Sequence, residues 1–149
     1  MSELDDLYQE VILDHGRKPR NFHKLEPADR QAEGFNPLCG DHYKIYVGLS
    51  DGRISEVAFE GSGCAISKAS ASLMTGAVKG MTVAEAEGLF ERFRTLVTEG
   101  PEKVSLAELG KLAALKGVVA IPTRVKCASL AWHTLHNALQ GQHQVASTE

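Results

Sequence analysis

Residues 42–60, HYKIYVGLSDGRISEVAFE, decide how this chain folds. Tyr43, Ile45, Val47 and Leu49 alternate with other residues, the period-two pattern of a strand with one buried face. Val57 and Phe59 continue the pattern after Ser50, Asp51 and Gly52. An Asp-Gly pair between alternating runs is a hairpin signal. The stretch therefore predicts two antiparallel strands, and a third is expected around residues 28–34.

Helical patterns flank the hairpin. Leu4, Leu7, Tyr8, Val11 and Ile12 share one face of an expected helix over 3–15, with Ser2 as its cap and Gly16 as its end. A basic, proline-containing loop follows, from Arg17 to Asn21. A second helix is expected from Cys64 to Lys79. Thr82 and Glu85 form a capping box for a third, whose apolar face carries Ala86, Leu89, Phe90, Phe93, Leu96 and Val97 until Gly100 and Pro101 break it. Ser105 and Glu108 predict another capping box and a short helix that Gly117 closes. Pro122 and Thr123 start the last helix, where Cys127, Leu130, Ala131, Leu135 and Ala138 recur at helical spacing. From Gln140 the tail is polar and expected to fray. With no internal repeat and no linker, residues 1–149 read as one α+β domain: a small antiparallel sheet of about three strands packed against several helices.

Composition narrows the function classes. Hydrophobic residues at 43% and charged residues at 23% exclude wholesale disorder. A net charge of −3 with no basic stripe argues against nucleic acid as a partner. The longest aliphatic run, Val118 to Ile121, is far too short to span a bilayer, so no membrane role is expected. The opening MSELDD lacks the basic-then-apolar order of a secretory signal, which predicts a cytoplasmic protein. Three cysteines, an odd count, argue for metal binding or thiol chemistry over a disulfide framework.

No C-x-x-C pair announces a zinc site, but the hairpin makes a geometric case. Residues facing each other across a hairpin centred on Asp51 have numbers that add to about 102. Cys39 and Cys64 add to 103, so both belong at the open end. Cys64 follows Gly61-Ser62-Gly63 and opens a helix, and Cys127 lies in the first turns of the last one. Free amides at a helix start favour a thiolate. Asp41, two residues after Cys39 and separated from it by Gly40, adds a carboxylate. Three sulfurs and one oxygen make a tetrahedral set that suits zinc. The plainer alternatives are small core cysteines and a turn aspartate.

Other candidates are weaker. Gly61-Ser62-Gly63 hints at a phosphate loop, yet Ile66 stands where the dinucleotide fingerprint needs glycine. A cysteine hydrolase would need a histidine beside its nucleophile, for which His42, His133 and His136 are available. His15 and His23 read as surface or loop residues. Arg124 and Lys126 flank Cys127, as solvated charges or as partial compensation for a thiolate cluster.

Four stretches, LYQEVILDHGRKPRN (7–21), NPLCGDHY (36–43), GSGCAISKASASLM (61–74) and RVKCASLAW (124–132), resemble in order the IscU/NifU-like iron–sulfur cluster assembly scaffold family, and within it the SufU branch. The resemblance implies an α+β fold with a metal site formed by Cys39, Asp41, Cys64 and Cys127. IscU proteins carry a histidine directly before the third cysteine and a proline-rich stretch upstream. Here those places hold Lys126 and Ile121-Pro122-Thr123-Arg124. The stretch from Glu87 to Leu106 resembles the insertion typical of SufU. The branch implies a zinc-dependent sulfur acceptor: Cys39 takes persulfide sulfur from a pyridoxal-phosphate-dependent (SufS-type) cysteine desulfurase and passes it to downstream iron–sulfur assembly proteins. The alternatives are a scaffold assembling a transient [2Fe–2S] cluster on the same ligands, and a structural zinc protein.

Overall fold

A computed structural model of the chain describes residues 3–141 and 145–147. Its centre is the expected hairpin, β2 (Asp41–Ser50) against β3 (Arg53–Ser62). Asp51 and Gly52 connect them with φ of 53° and 76°. Positive φ at both central residues matches the right-handed twist of the flanking strands. Leu49 pairs with Ile54 but Gly48 pairs with Glu56, so Ser55 is an extra residue on β3. This bulge keeps both Ile54 and Val57 in the core despite their odd spacing. It also carries the pairing past the predicted register, to Tyr43 opposite Gly61.

The third strand, β1 (Arg30–Asn36), pairs antiparallel with β2 and starts two residues later than the pattern predicts. The sheet is not purely antiparallel. A fourth, two-residue strand, β4 (Ala146–Ser147), lies parallel to β1 opposite Gly34 and Phe35, giving the order β3-β2-β1-β4. The polar tail is thus tied down at that point. Two residues carry too little periodicity to be seen in sequence.

Helix α1 (Glu3–Arg17) runs through Gly16, with Lys18 N still bonded to Asp14 O at 2.8 Å. The cap expected at Ser2 lies outside the described residues. Helix α2 (Ala65–Val78) is buried around most of its circumference. Its small Ala and Ser side chains permit this, and the buried hydroxyls find partners, such as Ser70 Oγ to Ala128 O at 2.6 Å. Helix α3 (Val83–Glu99) has its full capping box, Glu85 N to Thr82 Oγ1 at 3.1 Å and Thr82 N to Glu85 Oε1 at 2.9 Å. The second predicted box is absent. Ser105 meets Glu108 only through the backbone, at 3.2 Å, and α4 (Leu106–Leu109) stops after one turn where Gly110 takes φ 56°. A 3₁₀ helix over Gly110–Ala120 continues through Gly117. Pro122 sits at the first position of α5 (Pro122–Leu139), where its missing N–H costs nothing. No helix among the described residues is long and apolar enough to cross a membrane.

The core joins the inner hairpin face to α3 and α5. Ile45, Val47, Val57, Phe59, Phe93, Leu130 and Trp132 are all nearly inaccessible. Trp132 stacks on Phe93 with ring centroids 4.7 Å apart. Phe93→Ala should therefore cost about 3–5 kcal/mol, as aromatic truncations in packed cores do. Urea unfolding followed by the fluorescence of the single tryptophan, Trp132, measures it.

His15, expected at the surface, is only 8% exposed and places Nδ1 2.7 Å from Ser72 Oγ. Burial, joined by the cations Arg20 and Lys111, lowers its pKa. The folded state thus holds the ring neutral, whereas the unfolded ring gains a proton below about pH 6.5. The stability due to the neutral ring is complete above that pH and is lost as pH falls toward the folded pKa. Unfolding free energy should decline below about pH 6.5. His15→Gln should flatten that part of the curve, and an unchanged slope would assign it elsewhere.

Candidate metal centre

The open end of the hairpin gathers segments distant in sequence. Residues 37–40 form the turn from β1 to β2, closed by Gly40 N to Asn36 O at 2.8 Å, and Cys39 is exposed on it. Asp41 begins β2 and is fully buried. On the neighbouring strand, β3 ends at Ser62, and Cys64 caps α2 with Sγ accepting from Ser67 N at 3.4 Å. From α5 comes Cys127, 3% exposed.

Three of the four expected ligands converge. Donor atoms of Cys39, Asp41 and Cys127 all lie within 4.8 Å of one another. The thiols of Cys127 and Cys39 are 3.3 Å apart. Cys64 is not in that group. It adjoins the group through its amide, which donates to Asp41 Oδ1 at 2.9 Å.

Only one thiol has the helix-start advantage that the sequence suggests for two. Cys64 is a true N-cap, but Cys127 lies five residues after Pro122, beyond the turn where helix-end amides act. Burial, reinforced by Cys39 and Asp41, instead pushes the Cys127 thiol well above the ordinary range. A bound cation would reverse that preference, because it pairs with thiolate.

The Asp41 carboxylate accepts from Cys64 N and from Ser67 Oγ at 3.1 Å on Oδ1, and from Asn36 Nδ2 at 3.1 Å on Oδ2. Among the described residues no Lys or Arg forms an ion pair with it. Buried charges are paired or bind metals, so this donor set fits a divalent cation. Behind it, Tyr43 OH stands 2.8 Å from Ser67 Oγ, and burial raises the phenol's pKa. With the Ser67 proton on Asp41, the protonated phenol is left to donate to Ser67 Oγ.

Asn36, Ser67, Tyr43 and Gly63 are site residues that sequence reasoning missed. A Cβ on Gly63 would lie 2.6 Å from Asp41 Oδ1 and press on the Tyr43 and Ser67 hydroxyls. A Cβ on Gly61 would strike the His42 carbonyl. Close packing on β2 thus accounts for the two glycines that only hint at a phosphate loop. The histidines lie elsewhere: His42 pairs with Glu33 on the exposed side of the sheet, and His136 Nδ1 meets Glu87 at 2.7 Å. His133 sits edge-on to Phe90. No histidine belongs to the converging group among the described residues. Arg124 is exposed and Lys126 half-buried at the start of α5.

The chain matches the family model for the NifU-like N terminal domain over residues 7–128. It is 38% identical over 140 residues to the iron–sulfur cluster assembly scaffold protein IscU of Streptococcus pyogenes serotype M1, covering 94% of this chain and 87% of that one. It is also 38% identical over 138 residues to the zinc-dependent sulfurtransferase SufU of Bacillus subtilis, covering 93% and 92%. The fold aligns at a TM-score of 0.83 with a SUF-system iron–sulfur cluster assembly scaffold protein from Fervidobacterium islandicum, at 33% identity and covering 93% and 99%. The chain belongs to the NifU-like N-terminal domain family, the iron–sulfur cluster assembly scaffold proteins that include IscU and SufU.

Gly63→Ala should destabilise the protein by about 1–3 kcal/mol through overpacking against the Asp41 network. Gly76→Ala, in α2 with nothing within 4 Å of the added carbon, is the control and should be neutral or stabilising. Equal melting temperatures for the two variants would show that Gly63 is not packed against the site.

Proposed function

We propose that the protein is a zinc-dependent sulfur acceptor in iron–sulfur cluster assembly, with Cys39, Asp41, Cys64 and Cys127 as zinc ligands. The observation that carries this reading is the convergence of Cys39, Asp41 and Cys127 donors within 4.8 Å, with Cys39 alone exposed. Cys64, bonded through its amide to Asp41, completes three sulfurs and one oxygen. Bound zinc would hold these sulfurs as thiolates. The Bacillus subtilis relative described as a zinc-dependent sulfurtransferase supports the same reading.

Cys39 receives the sulfur because it sits on the exposed turn while its neighbours are pinned in β2, α2 and α5. The donor is a pyridoxal-phosphate-dependent, SufS-type cysteine desulfurase carrying a cysteine persulfide. The Cys39 thiolate attacks the terminal sulfur of that persulfide. A new S–S bond forms on Cys39, the donor's S–S bond breaks, and the donor cysteine leaves as a thiolate. The persulfide on Cys39 then passes its sulfur to downstream assembly proteins of the cytoplasm. Lys126 cannot act as a ligand while protonated, since an ammonium has no lone pair. Its charge offsets the excess negative charge of three thiolates and a carboxylate. Arg124, exposed two residues earlier, would be free to meet the partner.

The equal identity to a Streptococcus IscU favours a second reading, a scaffold assembling a transient [2Fe–2S] cluster on the same side chains. One experiment separates them. Anaerobically purified protein should be colourless and carry about one zinc per chain, as a single four-ligand site requires. With desulfurase and cysteine, mass spectrometry should find one added sulfur of roughly 32 Da on Cys39. Cys39→Ser should abolish the adduct without unfolding the chain. Visible absorbance that grows as zinc is lost, and moves to an apo-acceptor, would establish the scaffold instead.

Zinc removal should lower the melting temperature without unfolding the protein, because the hairpin, α3 and α5 share a core of their own. An identical melting curve with and without chelator would show that the four residues do not hold a common ion.

A further inference from the structure

Asn36 ends β1 and belongs to no expected ligand set, yet it is fully buried beside one. Its register partner is Asp41. Its side-chain nitrogen reaches two candidate ligands, 3.1 Å from Asp41 Oδ2 and 3.6 Å from Cys127 Sγ, 91 residues away. An ionised carboxylate only accepts, so the amide nitrogen, not its oxygen, faces Asp41. The other end of the amide is an orphan: Oδ1 is buried with no hydrogen-bond partner among the described residues. Buried polar atoms normally have partners, and an apolar side chain of similar size would leave none wanting. The orphan marks a side chain whose value lies in its nitrogen.

We propose that Asn36 is the positioning residue of the metal site, its amide holding Asp41 and Cys127 together so that the exposed Cys39 is the member of the trio that moves. The inference rests on the zinc reading above. Asp41 Oδ1 already accepts from Cys64 N and Ser67 Oγ. Oδ2 accepts only from Asn36 among the described residues, so it keeps a lone pair for a cation. The same amide reaches the sulfur that arrives on α5, the ligand most distant in sequence. Partners of this kind orient ligands and tune their donor strength.

The test uses the full-length protein loaded with zinc, or with cobalt(II) as a coloured substitute. Asn36→Asp keeps the shape but loses both N–H groups, and Asn36→Ser shortens the side chain. Both should retain the far-ultraviolet dichroism of the wild type. Each should lose zinc to a chelating dye roughly 10–100-fold more readily, the scale of such substitutions around metal sites. Their cobalt d–d bands should shift, a change that lowered stability alone does not produce. Folded variants with wild-type zinc retention and wild-type cobalt spectra would overturn the proposal. A wild-type protein that takes up neither metal would overturn the zinc reading and this inference with it. Should neither variant fold, nuclear magnetic resonance of the zinc-loaded wild type decides. Two separately resolved Asn36 side-chain hydrogens, both protected from exchange, are expected, and exchange at the solvent rate would reject the clamp.

Discussion

A buried carboxylate that pairs with no Lys or Arg among the described residues organises this protein. Asp41 begins β2, and its hydrogen bonds tie that strand to its neighbours: Asn36 from β1, Cys64 from the cap of α2, Ser67 from α2 itself. Burying such a group costs several kcal/mol unless its charge is answered. Three neutral donors answer part of it. The zinc ion proposed above would answer the rest, with the neighbouring sulfurs of Cys39 and Cys127 as its further ligands.

The rest of the fold brings thiols to that carboxylate. The Asp51-Gly52 turn sets the hairpin, and the Ser55 bulge shifts its register so that the end of β3 returns beside the start of β2. Gly63 then lets the chain pass within contact distance of Asp41, Tyr43 and Ser67 before Cys64 caps α2. The aromatic packing of Trp132 against Phe90 and Phe93 anchors α5 to α3, and with it the depth at which Cys127 is held. Exposure then divides the labour among the sulfurs. Cys127 is locked in the interior, Cys64 is tethered at a helix start, and Cys39 rides a short exposed turn. In the proposed role, in which Cys39 both binds zinc and meets a partner protein, that asymmetry leaves the reacting sulfur the accessible one.

Local chemistry was readable directly from the residues. The alternation across 42–60, the Asp-Gly turn, the Thr82–Glu85 capping box and the apolar faces of α3 and α5 are short-range patterns, each enforced by backbone geometry within a few residues. The placement of Cys39 and Cys64 at one end of the hairpin followed from pairing arithmetic alone, and that arithmetic survives a one-residue bulge because both cysteines lie beyond it.

Tertiary structure decided what depends on contacts between distant segments. The Asn36 amide meets a sulfur 91 residues away, which no spacing rule anticipates. His15 looked like a surface residue until α2 covered it. Cys127 looked like a helix-start thiolate, yet it lies beyond the first turn, and burial raises its pKa. Two residues at the tail found the free edge of β1. In each case the deciding quantity is burial or a through-space partner, and neither exists until the chain has folded. The sequence alone placed Cys39 and Cys64 at the open end of the hairpin and offered Cys39, Asp41, Cys64 and Cys127 as candidate ligands. Packing determined which of them are pinned, which is exposed, and which three converge.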